Sequence, residues 1–373
     1  MPAGLSRQDY SLTYLFTTMK KFMILLLVAL AVACRTGSDQ EKQVTVKPVY
    51  TREDSALMDL AKTYFKVLPN DAGKAENQVT DAKVYLGQVL FYDSRLSKTG
   101  NNSCNSCHNL STYGVDNVPT SIGDAGKPGD RNSPTVFNAA LHNMQFWDGR
   151  AVTVEEQAGM PILNPDEMAI PHKGFLVARL HKDTMYHALF TAAFPDEPEP
   201  VSYANVRKAI GAFERTLLSP SRFDRYMGGD LAALNSEEKE GLGMFIDAGC
   251  GNCHNGVGVG GGSLQKFGIF TDYRTLTNSR LDDEGRLKVT GNKSDKDVFK
   301  VPGLRNIEKT YPYFHDGSIT SLDSTVMIMA KSQLNKELTP RELSGIIAFL
   351  KTMTGDIRED AKKVPPELAK LQK

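Results

Sequence analysis

The longest unbroken apolar stretch of the chain lies near its start. Phe22 to Ala33 are twelve consecutive apolar residues, directly preceded by Lys20 and Lys21 and ending in small residues before Cys34. Such a run is too short to span a bilayer comfortably and has the charge, apolar core and small-residue end of an export signal. At the other end of the chain, Thr339, Pro340, Arg341 and Glu342 form a capping box with proline at the first helical position. Leu343, Ile346, Ile347, Leu350 and Met353 then follow at helical spacing, which predicts a helix from 340 with Gly355 as its stop. Stretches rich in Gly, Pro and Asp at 115–135 and 255–300 predict long loops rather than strands. The expected fold is mainly α with little sheet.

Composition narrows the class. With 373 residues, 40% of them hydrophobic and 24% charged, the chain is an ordinary globular protein of two or three domains. Its 44 basic and 44 acidic residues cancel, so no strong positive field exists and nucleic acid is not an expected partner. The eighteen residues ahead of Met19 precede the charged start of the signal, which makes Met19 the expected first residue.

The five cysteines cannot all pair as disulfides. Leu30, Ala31, Val32, Ala33 and Cys34 resemble the lipobox of bacterial lipoproteins, in which the cysteine is lipidated; the alternative is an ordinary cleaved signal with an incidental cysteine. Residues 1–33 are therefore expected to be a signal peptide and 34–55 a polar tether to a membrane.

The other four form two C-x-x-C-H motifs, Cys104, Cys107 and His108, then Cys250, Cys253 and His254. Two thiols one helical turn apart reach the two vinyl groups of one porphyrin, and the adjacent histidine is then held under the iron. Paired C-x-x-C units for zinc usually lie about 15–20 residues apart, far closer than these, and redox dithiols leave both histidines unexplained. The motifs predict two covalent c-type haems, with His108 and His254 as proximal iron ligands. Gly256, Gly258 and Gly261 also satisfy G-x-G-x-x-G, but they follow a haem motif rather than a strand, so a loop is expected there.

A second echo is internal. Pro134, Asn138, Phe146, Asp148 and Gly149 recur 168 residues on as Pro302, Asn306, Phe314, Asp316 and Gly317, once after each haem motif. A coarser Leu-Gly with a following Phe and Asp precedes each motif: Leu86, Gly87, Phe91 and Asp93, then Leu242, Gly243, Phe245 and Asp247. The expected architecture is two homologous cytochrome c-like haem domains, residues 56–217 and 218–356, with long loops and a tail at 357–373.

Between about residues 60 and 355 the chain resembles the bacterial di-haem cytochrome c peroxidases. The resemblance rests on Leu86 to Asp93 with Arg95 to Ser97, both haem motifs, Arg131 to Thr135, Phe146 to Arg150 and Tyr313 to Gly317. It implies that the first haem reduces hydrogen peroxide while the second, of higher potential, takes electrons from a small c-type cytochrome or cupredoxin. It also implies an exported, periplasmic enzyme, often a homodimer. Residue by residue, it implies Met329 as the second iron's sixth ligand, Trp147 between the haems, and His315 in the same interhaem or domain-interface region. Glu167 matches the family's catalytic carboxylate and Gln157 its neighbouring amide. Asn132, with the carbonyls of Thr310 and Pro312, matches the family's calcium ligands, in keeping with the oxygen preference of that ion.

One departure stands out. Where many members carry a loop histidine after Ser-Ile-Gly, this chain reads Ser121, Ile122, Gly123, Asp124. Carboxylate is a poor substitute for imidazole on a low-spin haem, so the first iron is expected to be open without reductive activation. His142 is the nearest alternative ligand, with a structural role the favoured reading, and His172, His181 and His187 lie in a segment without a motif. Two other functions fit the motifs: a di-haem enzyme that oxidises a partner protein, for which the second iron needs tyrosine rather than Met329, and a non-enzymatic di-haem electron carrier.

Overall fold

The computed structural model describes residues 52–369, so the expected leader, Cys34 and most of the tether lie outside the described residues. The longer helices are α1 (Arg52–Tyr64), α2 (Asp81–Tyr92), α3 (Val154–Leu163), α4 (Lys173–His181), α5 (Thr184–Ala193), α6 (Tyr203–Glu214), α7 (Ser236–Ala248), α8 (Leu322–Leu334) and α9 (Pro340–Lys351). None of the described helices is long and apolar enough to cross a membrane.

Their ends follow local chemistry. The Thr80 side chain accepts the Lys83 amide at the start of α2, and reciprocal capping boxes pair Asn235 with Glu238 and Thr339 with Glu342. Helix α9 ends at Lys351, short of Gly355. Gly355 instead donates its amide to Asn306 Oδ1, and a β-carbon there would collide with the Ser219 carbonyl. Its glycine serves a chain crossing, not a helix stop.

Among the described residues two large hydrophobic cores form, each around a crossed helix pair, with a smaller cluster around Ala139, Val154 and Leu218. In the first, α2 crosses α6 where Gly87 lies on Ala209, so closely that a β-carbon on Gly87 would strike the Ala209 carbonyl. Four residues on, Phe91 meets Phe213 edge-on at 5.5 Å. In the second, α7 crosses α9 where Gly241 lies on Gly345, and four residues on Phe245 meets Phe349 at 5.3 Å. Each of these buried phenylalanines contributes about 1.5–3 kcal/mol of burial. The counterpart of Gly87 is therefore Gly241, not Gly243, whose nearest outside neighbour is a methyl of Leu57. The Leu-Gly echo of the sequence is out of register by two because glycines two apart in a helix, such as Gly241 and Gly243, face different neighbours.

The echo spaced by 168 residues is repeated in the backbone. Asn138 and Asn306 have φ of 62° and 64°, Phe146 and Phe314 of 64° and 69°, and the bridge Gln145 to Ala151 is matched by Tyr313 to Ile319. The repeats meet at Ser219, whose hydroxyl accepts from Asn138 Nδ2 at 2.7 Å and Asn306 Nδ2 at 2.9 Å.

The chain passes from the first core after Leu217 to the second at Phe223, but its ends exchange cores. Met58, Ala61 and Phe65 at and beyond α1 pack in the second core, although the sequence groups residues 56–65 with the first. Ile357, Ala361 and Leu368 of the tail pack on the first. An amphipathic segment announces that it will be buried, not against which core.

The 255–300 segment is less irregular than its composition predicts. Strands β1 (Leu264–Lys266) and β2 (Val298–Lys300) pair antiparallel, with Leu264 opposite Lys300, and short helices span Tyr273–Thr277 and Leu287–Thr290. Three-residue strands are too short for alternation to reveal. The glycines at 256–261 do form a loop, following a 3-10 turn and packing against Pro302 and Gly303.

Candidate haem and peroxide site

The second motif opens on one large cavity. Cys250 to Asn252 turn directly off the end of α7, and the His254 amide bonds back to Cys250 at 3.0 Å. The His254 ring is buried, with Nδ1 at 3.2 Å from the Pro302 carbonyl. Burial lowers its pKa to about 4 against the opposing pull of the Pro302 and Val259 backbone, so the imidazole is neutral. A proton on Nδ1, fixed by that carbonyl, leaves the Nε2 lone pair for a metal. Cys250, Cys253, His254 and, from α8, Met329 line the same cavity. Burial pushes the Cys250 thiol up to about 11, so the cysteine is a neutral thiol until it is alkylated.

The first motif repeats the turn. Cys104 to Cys107 form one helical turn, closed by the His108 amide on the Cys104 carbonyl at 2.9 Å. Burial lowers the pKa of His108, while the backbone of Gly114 and of Pro134, the repeat counterpart of Pro302, raises it. Its Nδ1 is buried without a hydrogen-bond partner in protein atoms. Burial raises both thiols, helped by Glu214 at Cys104 and by Asp116 and Glu167 at Cys107. Paired thiols a turn apart beside an imidazole held neutral fit a covalent haem at each motif, with an apolar cavity at the second, and these six side chains would hold the two groups.

Glu167 sits in the turn after α3. Its Oε1 accepts from Asn164 Nδ2 at 3.0 Å. Burial raises the pKa of its carboxyl, outweighing that bond and the charge of Arg150. Gln157 lies on α3 itself, half-buried. The Glu167 loop is therefore near the first motif, whereas Trp147, His315, Asn132, Thr310 and Pro312 all line the cavity of the second.

In that cavity Trp147 donates its indole N–H to the Asn132 carbonyl at 2.9 Å and meets the His315 ring edge-on at 6.3 Å. His315 is buried, stacked on Phe299 at 4.2 Å. Asn132 Nδ2 donates to the carbonyls of Val118 and Pro119 at 3.0 and 3.3 Å, which fixes the orientation of its side-chain amide. His142 packs against Gly258, Gly261 and Gly303 beside the second motif, with Nδ1 3.4 Å from Lys300 Nζ. It is thus a packing residue of the second cavity. His172 caps α4, and His181 and His187 face each other at 6.3 Å.

Several side chains at the site have partners that the sequence does not indicate. Arg131 bridges Asp148 at 2.6 Å and Asp283 at 2.6 Å, and Arg150 pairs with the same Asp148 at 2.8 Å. Lys300 is buried in the cavity, its pKa lowered to about 8 by burial against the charge of Asp148. Asp283 and Lys300 lie outside the stretches that carry the resemblance, and only tertiary contact shows their partners.

Glu214, at the end of α6, is buried beside Cys104, and its pKa is raised to about 8 by burial and then by Glu155, against Arg215. The native protein holds this proton, whereas an unfolded chain releases it near 4.5. Its contribution to stability is thus full below about 4.5 and lost as pH rises through about 8. Glu214→Gln is expected to flatten the fall of the thermal midpoint across that window, a slope of at most about 1.4 kcal/mol per pH unit. Parallel profiles for the two proteins would contradict it.

Comparison with known proteins agrees with this geometry. A family model described as di-haem cytochrome c peroxidase matches residues 81–232. The cytochrome c551 peroxidase of Nitrosomonas europaea is 47% identical over 78% of this chain and 82% of its own length, and that of Pseudomonas aeruginosa 43% identical over 80% and 87%. The crystal structure of a MauG-like protein associated with microbial copper homeostasis superposes with a TM-score of 0.71 at 31% identity, covering 80% of this chain and 97% of the other. With two haem-attachment motifs on a duplicated helical scaffold, and with such relatives along most of its length, the chain belongs to the di-haem cytochrome c peroxidase family.

Proposed function

We propose that the protein reduces hydrogen peroxide to water, consuming two electrons and two protons per peroxide, with a small c-type cytochrome or cupredoxin as donor. The observation that carries the reading is Glu167, a carboxylate of raised pKa beside the first of two motifs whose histidines are held neutral. The haems, when bound, supply one iron that receives peroxide and a second that collects electrons. His108 and His254 would hold those irons through Nε2, and Met329, which lines the same cavity as His254, would supply a thioether ligand that raises the potential of the second. Glu167 takes a proton from the inner peroxide oxygen and returns it to the departing one, while the Gln157 amide orients the peroxide. Trp147 packs the two sites together and couples them electronically.

With Asp124 in place of a loop histidine and its carboxylate engaged by Thr99 and Asn101, this loop would supply no imidazole ligand to the first haem, and peroxide would react with the oxidised protein without prior reduction. An electron paramagnetic resonance spectrum with two low-spin haems and no high-spin iron would overturn this part. Residues 56–217 and 218–356 form the peroxidatic and electron-transfer haem domains, apart from the exchanged ends. A calcium ion at Asn132, Thr310 and Pro312 stiffens the junction, and the chain, exported to the periplasm, is tied to a membrane through Cys34. A homodimer is the assembly in keeping with the family resemblance.

Two alternatives make different predictions. Oxidation of a partner protein calls for tyrosinate on the second iron, against Met329; a plain electron carrier shows no peroxide-dependent oxidation of donor. Mixing the di-haem protein with peroxide and reduced small cytochrome c is expected to oxidise the cytochrome at two equivalents per peroxide. No oxidation above background would remove the peroxidase reading.

A further inference from the structure

We infer that Asp124 is a positioning residue: its carboxylate holds the segment leading into the first haem motif, and its backbone amide holds the loop that carries Glu167. The inference rests on the proposed role of Glu167 and goes beyond the absence of a histidine at this position.

Asp124 is buried, and its side chain accepts three hydrogen bonds from one short segment. Thr99 donates through its amide at 3.0 Å and its hydroxyl at 2.8 Å, and Asn101 through its amide at 3.3 Å. That segment ends at Ser103 and Cys104, where the haem-attachment turn begins. On its other side, the Asp124 amide donates to the Glu167 carbonyl at 2.6 Å. Gly123 is pressed so tightly on the same loop that a β-carbon would strike the Asp166 carbonyl.

A parallel strut runs beside it, from the Lys98 amide to the Met168 carbonyl at 2.8 Å. The Glu167 loop is closed from behind by Met168 and Ala169 amides on Pro161 and Asn164. Its position relative to the haem turn is thereby set through Asp124 and residues 98–101. Burial alone raises the Asp124 pKa, but the Thr99 and Ser97 side chains and the Thr99 and Asn101 amides outweigh it and hold the carboxyl ionised. A carboxylate with three donors is a strong, directional anchor, and a carboxylate so engaged is not available as an iron ligand.

A general base misplaced by an ångström or less loses much of its effect. The test uses the haem-loaded protein and follows the second-order reaction with peroxide by stopped-flow absorbance. Asp124→Ala is expected to slow it by about tenfold with unchanged haem content and an unchanged spectrum of the second haem. Asp124→Asn keeps an oxygen for the Thr99 hydroxyl and Asn101 amide and is expected within about threefold of the parent. In a Glu167→Gln background, Asp124→Ala is expected to cost less than about twofold more.

If Asp124→Ala does not take up haem, Thr99→Val, which removes one donor, serves in its place. An undiminished rate in the single variant, or an equal loss in both backgrounds, would overturn the inference. Failure of the parent protein to react with peroxide would instead strike the proposed function, so the two failures are distinguishable.

Discussion

Replacing Glu167 by glutamine is expected to slow the reaction of the oxidised protein with hydrogen peroxide by about 10²–10⁴-fold, the usual contribution of a positioned general acid–base group. Glutamine keeps the shape and the bond from Asn164 but accepts no proton. The pH profile sharpens the test. Burial raises the Glu167 pKa, so on acidification the carboxyl takes up its proton and can no longer accept one from peroxide. The parent rate is therefore expected to fall on the acid side with an apparent pKa above the ordinary carboxylate range, and this limb is absent in the variant. Haem content, the Met329 side of the molecule and the affinity for reduced cytochrome are expected to be unchanged. A variant that reacts at the parent rate would assign the proton transfer elsewhere.

The second large effect concerns electron supply. Met329→Ala is expected to lower the potential of the second haem by on the order of 200 mV, a modest share of the ~0.8 V that axial ligands span. At 59 mV per tenfold, electron entry from a given donor becomes about three orders of magnitude less favourable. Steady-state oxidation of cytochrome should then collapse while the first reaction of the oxidised protein with peroxide proceeds as before. This split separates the roles, since Glu167→Gln acts on peroxide and Met329→Ala on the donor. A potentiometric titration with no shift would remove Met329 as a ligand, and with it the argument against a tyrosinate-type enzyme.

Both variants rest on positions that local sequence could name only by resemblance. Glu167 is one of 44 acidic residues and Met329 one of 13 methionines. What marks them in the structure is place: a turn beside the first motif where the carboxyl is partly desolvated, and the wall of a cavity shared with His254. The repeat spaced by 168 was legible because a left-handed asparagine, a left-handed phenylalanine and a glycine turn leave residue signatures. The Leu-Gly echo misled by two positions, because which small residue meets the neighbouring helix depends on the crossing and not on the order of residues along the chain.

The sequence by itself determined the covalent chemistry. Two C-x-x-C-H motifs, the repeated turn after each, and the capping boxes are local, because thiol spacing, backbone handedness and helix ends are properties of a few consecutive residues. Tertiary structure alone decided the exchange of ends between the cores, the Arg131 bridge between Asp148 and Asp283, and the buried acid Glu214. It also decided that Asp124 faces Thr99 and the Glu167 loop. Desolvation and hydrogen-bond geometry depend on partners brought together from distant positions, and no local pattern encodes which partners those will be.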